Sequence, residues 1–187
     1  MKLTLRATRR ILGGTALLCA AALLPGTAMA ASAPSTHHTT AHHASAAWGL
    51  PRCRESQTTI WIGIGNGGGA AGTIFRPVEF TNTSRHACKL WGFPRIWGLG
   101  ASGHQVGKAA RHLGHKFSII ELWPNQTAHA TVGFIQAGNV CSHPVDTGLV
   151  VRAPHQGSST QLPFFFKSCP RRRVLVTGPV MAGVGIP

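Results

Sequence analysis

The chain has 187 residues, and its 18 Lys and Arg outnumber its 4 Asp and Glu, which gives a formal charge of +14 with histidine neutral. The length predicts one domain with terminal extensions, and the 43% hydrophobic content disfavours global disorder. Carboxylates occur only at Glu55, Glu79, Glu121 and Asp146, so most acid–base mechanisms have few residues to use and we expect no enzymatic activity.

Residues 1–30 have the pattern of a secretory signal peptide. Four basic residues precede an uncharged apolar run at 11–24, and Ala28-Met29-Ala30 matches an A-x-A cleavage site. The run is shorter than the roughly 20 residues of a membrane-spanning helix. Cleavage after Ala30 lowers the charge from +14 to +10, because the segment carries four basic and no acidic residues. We expect an extracellular or cell-wall-associated protein, exported by general secretion or, given Arg9-Arg10, by the twin-arginine route.

Residues 31–47 are a low-complexity segment, which predicts a flexible linker. Its distinctive feature is an HH-x3-HH cluster formed by His37, His38, His42 and His43. The favoured interpretation is a solvated polar linker. The alternative is capture of a divalent metal such as Zn or Cu, with an affinity that falls as the imidazoles protonate below about pH 6.5.

Residues 48–187 are predicted to form the folded domain. Short apolar runs alternate with Gly, Pro, Asn and Ser clusters, which is typical of an all-β sandwich or barrel. The predicted strands are 58–64, 72–81, 117–122, 128–135, 149–152, 161–166 and 173–177. The first two are expected to form a hairpin across the Gly- and Asn-containing segment 65–69. Residues 63–68 also match the G-x-G-x-x-G pattern of dinucleotide-binding sites, but a strand follows them where such a site requires a helix, so that interpretation is disfavoured. Residues 117–122 and 128–135 are expected to pair likewise.

Four cysteines follow the predicted signal peptide: Cys53, Cys88, Cys141 and Cys169. An even number in an exported chain indicates two disulfides, for which three connectivities exist. We favour Cys53 with Cys88 and Cys141 with Cys169, because neighbouring pairs close the shorter loops. A four-cysteine metal site is disfavoured, since the chain contains no C-x2-C pair.

Two segments carry a family resemblance. The segment from Cys88 to Pro94 follows a C-x-L-x-G-aromatic-P pattern, and the segment from Leu122 to Ala128 follows L-x-P-G-x-x-A with Asn125 in place of glycine. Over roughly residues 53–177 the chain resembles the secreted actinobacterial family called domain of unknown function 4232. The resemblance implies an exported, immunoglobulin-like antiparallel β-sandwich with no assigned activity. Asn125 keeps the turn available, because Asn tolerates the left-handed conformation.

Basic residues are the leading candidates for a binding site. Arg52 and Arg54 flank Cys53, and Arg171, Arg172 and Arg173 follow Cys169. If the first strand lies near the last one, the five form a single positive patch. We expect its partner to be an anionic cell-envelope polymer, such as a teichoic-acid-like or phosphorylated glycan, or an acidic protein; the alternative is a solvated rim that maintains solubility. Nucleic acid is not expected as the physiological partner of an exported chain.

The remaining candidates are weaker. Ser142, His143 and Asp146 are the residue types of a hydrolytic triad, but members this close in sequence rarely converge on one site, so a hydrolase is a minor alternative. A second histidine group, His104, His112 and His115, is interpreted as ordinary surface residues. Tryptophan usually packs in the core; the alternative is an exposed stacking platform for a sugar or nucleobase, and Trp97 is expected to be the most exposed tryptophan.

Overall fold

The computed structural model describes residues 49–64 and 68–185, and it is all-β apart from two short 3-10 turns at Glu55–Gln57 and Ala137–Asn139. The predicted signal peptide and the predicted His-rich linker both lie outside the described residues. Within the described residues, no helix is long and apolar enough to cross a membrane.

Thirteen strands occur in the described ranges. In chain order they are β1 (Thr58–Ile62), β2 (Gly69–Ala70), β3 (Thr73–Asn82), β4 (Cys88–Leu90), β5 (Arg95–Leu99), β6 (Gln105–Val106), β7 (Arg111–His112), β8 (Ile120–Leu122), β9 (Thr127–Ile135), β10 (Val145–Arg152), β11 (Thr160–Ser168), β12 (Leu175–Thr177) and β13 (Met181–Ala182).

These strands form an immunoglobulin-like sandwich, as expected. One sheet has the order β1-β3-β9-β12-β7, with β2 added to β3 and β13 added to β9; the other has the order β11-β10-β5-β6; β4 and β8 form a separate two-stranded ladder. Among the described strand pairs, β12 with β7 is parallel and the others are antiparallel. The predicted pairing of 58–64 with 72–81 is confirmed by the β1–β3 register, in which Ile60 lies opposite Phe80. Residues 65–67 of the predicted turn lie outside the described residues, and the two-residue turn Ala71-Gly72 joins β3 to β2.

One predicted pairing is wrong. Strand β8 pairs with β4, placing Leu122 opposite Cys88, and it does not pair with β9. Asn125 does adopt the left-handed conformation, with φ of 63°. Its amide, however, donates to the Asn82 carbonyl at 2.8 Å, so the turn packs on the end of β3 and carries the chain from one ladder to another.

The core lies between the two main sheets and follows from the alternation of apolar residues. On β9, Ala128, Ala130, Val132 and Phe134 all face inward, as predicted. Val78 and Phe80 of β3 lie beside them, and Leu149 and Val151 of β10 face them from the opposite sheet. Burial of a side chain as large as Phe80 contributes about 1.5–3 kcal/mol.

Both predicted disulfides, Cys53–Cys88 and Cys141–Cys169, are present, and they mark opposite ends of the sandwich. Cys88 pairs with Leu122, whose carbonyl accepts a hydrogen bond from Asn82 at the last residue of β3. Cys169 contacts the carbonyl of Ala137, next to the segment that bonds Gly72 just before β3 begins. At about 3.3 Å per residue, the ten residues of β3 separate the Cys53 end from the Cys141 end by roughly 30 Å.

Candidate functional site

The structure does not assemble the single positive patch expected from the sequence. Arg52 bridges to Lys89 and lies at the Cys53 end. Arg172 lies at the Cys141 end, where its amide donates to the Cys169 carbonyl at 3.2 Å. A single patch requires the first and last strands to be neighbours. In the sheet, β3 and β9 lie between β1 and β12. Arg52 and Arg54 are therefore remote from Arg171, Arg172 and Arg173.

The three consecutive arginines instead form a basic hollow with a residue that sequence reasoning missed. This shallow concavity of about 570 Å³ is lined by Lys108, Val140, Arg171, Arg172 and Arg173. All four cationic residues are exposed. The chain's four acidic residues all lie within the described ranges, and none of them lines the hollow.

Backbone contacts fix the shape of the basic hollow. The Lys108 amide donates to the Arg172 carbonyl at 2.8 Å, and Arg173 Nε donates to the Ala109 carbonyl at 2.9 Å. Gly107 has a φ of +73°, and a Cβ at that position would lie 2.7 Å from the Arg172 oxygen. Only glycine permits this close approach. The fold thus brings Lys108 to the arginines from more than sixty residues away, and no local motif signals it.

The side chains of the basic hollow have the chemistry needed to bind an anion. Guanidinium groups present forked donors that match phosphate and carboxylate oxygens, and an ammonium adds a point charge. Single exposed ion pairs contribute about 0–1 kcal/mol. A useful affinity at this surface therefore requires a ligand that carries several negative charges.

The Arg52 and Arg54 cluster has a different electrostatic character, because a carboxylate lies in its midst. Glu55 lines the same concavity as both arginines. Its Oε1 accepts hydrogen bonds from the amides of Gly157 at 2.6 Å and Ser158 at 2.5 Å. Hydrogen bonding by the side chain and amide of Ser158 lowers the pKa of Glu55, so the carboxylate stays ionised and opposes anion binding here.

The residues of the suspected hydrolytic triad are not arranged as one. Ser142 Oγ lies 2.9 Å from Nδ1 of the adjacent His143. Asp146 instead pairs with Lys167 on the neighbouring strand, with Nζ 3.0 Å from Oδ1. The third member of a triad must orient the histidine, and Asp146 is engaged elsewhere.

Histidines in the described ranges do not gather with other ligand types into a group of three or more. The ring of His112 stacks on Phe93 at 4.4 Å between centroids, and His155 lies 4.6 Å from Trp91. The linker cluster of His37, His38, His42 and His43 lies outside the described residues.

The expectation that Trp97 is the most exposed tryptophan is wrong. Trp97 is half-buried, because the guanidinium groups of Arg95 and Arg152 lie over its ring at 5.4 and 5.8 Å from the centroid. Among the tryptophans that the structure describes, Trp61 and Trp123 are more exposed, at 38% and 37%. Cross-strand pairing of Arg152 with Arg95 produces this arrangement, and the sequence gives no sign of it.

Comparison with known proteins identifies the family. No curated protein matches the chain. The model of the family described as Domain of unknown function (DUF4232) matches residues 53–180, which include both disulfides and strands β1 to β12. The chain therefore belongs to the DUF4232 family.

Proposed function

We propose that this protein is an exported, non-enzymatic binding module that recognises an anionic cell-envelope polymer through the basic hollow. The observation that carries the proposal is the set of four exposed cations, Lys108, Arg171, Arg172 and Arg173, around one concavity whose lining contains none of the chain's acidic residues. The two disulfides are compatible with an extracellular location.

The positions of the four carboxylates support the basic hollow as the contact surface. Glu55 binds the amides of Gly157 and Ser158, and Asp146 pairs with Lys167. Glu79 is buried, and Glu121 lies opposite Lys89 in the β4–β8 ladder. None of the four side-chain carboxylates, all of which the structure describes, thus competes with an external anion for the hollow's cations.

A polymer with repeating charges suits this surface better than a single small anion. Three consecutive arginines offer several weak contacts, and a chain of phosphates engages them together, so that each further contact forms at a high effective concentration. Binding of this kind weakens as salt rises, since the Debye length is about 10 Å at 0.1 M and about 3 Å at 1 M ionic strength.

The test is calorimetric titration of the oxidised protein with inorganic polyphosphate at low and high salt. The hollow variant carries Lys108→Gln, Arg171→Gln and Arg172→Gln; the charge-matched control carries Arg52→Gln, Arg54→Gln and Arg85→Gln. We expect the hollow variant to lose affinity by more than about tenfold and the control by less than about twofold. Equal losses in both variants would mean that net charge alone attracts the polymer, and would overturn the proposal.

Polyglutamate serves as the second probe. It presents the carboxylates of an acidic protein on a flexible chain, as polyphosphate presents phosphates. Tighter binding of polyglutamate than of polyphosphate at the same salt concentration would assign the basic hollow to acidic proteins. Binding of either probe that does not change with salt would contradict the electrostatic mechanism.

A further inference from the structure

A second concavity, the Arg76 cleft, opens between the two main sheets at the Cys141 end. Its volume is about 770 Å³. The segment from Gly69 to Arg76 forms one wall, Phe164 to Lys167 of β11 form the other, and Phe134 lies between them. This size is within the range of about 300–1,000 Å³ typical of sites for small ligands.

The cleft exists because the core row of β3 continues past the point where the second sheet covers it. Phe80, Val78, Arg76 and Ile74 alternate along one face of the strand. Phe80 and Val78 are fully buried, whereas Ile74 is 52% exposed. Opposite them, the β10–β11 register shifts between Gly148 and Leu149, so that β11 carries the two additional residues Pro163 and Phe164. This irregularity leaves the end of the sandwich open.

Aromatic rings line the β11 wall of the cleft and the space between its two walls. Phe134 lies 4.9 Å from Phe164 and 5.3 Å from Phe166 between ring centroids. These rings and Ile74 present an apolar surface that continues the protein core to the solvent. An apolar chain placed here would extend the core packing rather than lie on a polar surface.

Arg76 gives the cleft a charge. Its guanidinium lies over the Phe164 ring, 5.5 Å from the centroid, and the residue is half-buried. None of the chain's four acidic side chains pairs with it: in the part of the chain that the structure describes, the one ion pair joins Lys167 to Asp146. A half-buried cation without a counter-charge is costly, so an anion delivered into the cleft would be stabilised.

We propose that the Arg76 cleft binds an acyl carboxylate, with the carboxylate paired to Arg76 and the acyl chain lying against the rings of Phe134, Phe164 and Phe166. Charge complementarity and apolar lining together select this class of ligand. A neutral chain satisfies the rings and leaves the guanidinium unpaired, whereas a small inorganic anion pairs with the guanidinium and leaves the rings exposed. This site is separate from the basic hollow and does not rest on its function.

The experiment is calorimetric titration of the oxidised protein with decanoate below its micellar concentration, compared with decanol and decyltrimethylammonium. We expect decanoate to bind at least about tenfold more tightly than either analogue, as a charge-assisted hydrogen bond implies. Backbone NMR shifts should change at Ile74, Arg76 and Phe134. Equal affinities for the three ligands, shifts confined to other residues, or no binding at all would overturn the proposal.

Variants separate the role of Arg76 from general effects. Arg76→Gln should lower decanoate affinity by about tenfold or more and leave decanol unchanged, while Arg76→Lys should retain part of the affinity. Ile74→Asp, at an exposed position, supplies an internal partner for Arg76 and should abolish decanoate binding. The matched control is Arg85→Gln at the Cys53 end, which should bind like the parent.

Light scattering without ligand tests a different occupant of the cleft, a second copy of the chain. Self-association of the parent protein that Ile74→Asp abolishes would assign the cleft to that second copy and overturn the proposal.

Discussion

Glu79 Oε1 accepts a hydrogen bond of 3.0 Å from the amide of Gly185, and this contact holds the C-terminal segment over the outer face of the larger sheet. Glu79 is fully buried, and its Oε2 has no hydrogen-bond partner among the described residues. A Cβ at Gly185 would lie 2.5 Å from Pro77 and 2.7 Å from His129, so glycine is required there. Burial raises the pKa of Glu79 above its ordinary value of 4.5, and the Gly185 bond and nearby His129 oppose this to a smaller extent.

We predict that Glu79→Gln removes a pH-dependent loss of stability. Because the pKa of Glu79 is raised in the folded state, that state binds the proton more tightly than the unfolded chain does. The parent's free energy of unfolding therefore falls as pH rises from about 4.5 through the raised pKa, and the neutral amide escapes this fall. Urea unfolding from about pH 4 to 8 should show a variant-minus-parent difference that grows with pH and then levels. A difference that stays constant would contradict the prediction.

A second prediction concerns Asn82, which is fully buried at the end of β3. Its Nδ2 donates to the carbonyls of Leu122 at 2.8 Å and His86 at 2.9 Å, and its Oδ1 accepts from Ser84. Asn82→Ala leaves these groups without partners and should lower the free energy of unfolding by about 2–4 kcal/mol. The neighbouring Thr83→Ala is the control and should change it by less than about 0.5 kcal/mol. Chemical denaturation measures both, and similar losses would show that Asn82 has no special role.

The two disulfides should differ in their effect on binding although they stabilise the fold similarly. Their sequence separations are 35 and 28 residues, so replacing either pair by serine should cost about 3–4 kcal/mol in the chain-entropy model. The Cys169 carbonyl bonds the Arg172 amide, so Cys141→Ser with Cys169→Ser should also weaken polyphosphate binding. Cys53→Ser with Cys88→Ser should not. Calorimetry at a temperature where both variants are folded distinguishes them, and equal binding losses would contradict the assignment.

Glu55 provides a prediction that NMR can check directly. Its pKa lies below 4.5, chiefly because of the Ser158 side chain. Ser158→Ala should therefore raise the pKa of Glu55, while the adjacent Ser159→Ala should leave it as in the parent. Following the Glu55 carboxyl shift through an acid titration gives both values. No change in the Ser158 variant would show that backbone amides alone hold the carboxylate.

Local patterns predicted the central strands, because apolar alternation survives wherever one face of a strand is buried. Strands β3 and β9 were found in this way, and cysteine spacing gave the disulfides. Strand β5 was missed, since Trp97-Gly98-Leu99-Gly100 has the composition of a loop. Gly98 is there for packing: a Cβ would lie 3.0 Å from Thr147 Oγ1 and 3.1 Å from the Phe166 ring. Tertiary contact of this kind has no signature in the local sequence.

The candidate sites also contain residues that a local sequence pattern predicts and residues that only tertiary contacts bring into place. Three arginines in succession predicted part of the basic hollow, whereas Lys108 joins it through pairing between distant segments. In the sequence, Arg76 is indistinguishable from any other charged strand residue. Its lack of an ion-pair partner depends on the positions of all four carboxylates and on the irregularity in β11, which only the fold shows. A sequence pattern reports which residues are charged, but the fold decides which of them have partners.

The distance between the two ends of the sandwich decides which end faces outward when the protein is attached to a surface. The chain enters the domain beside Lys89, where the Pro51 carbonyl accepts a hydrogen bond of 2.8 Å from the Lys89 amide. The basic hollow and the Arg76 cleft lie at the Cys141 end, roughly 30 Å away along β3. Attachment at the start of the described domain, on a sensor chip or on a cell surface, would leave the basic hollow and the Arg76 cleft at the end farther from that surface, whereas a tag placed directly after β13 would begin on the outer sheet face near His129.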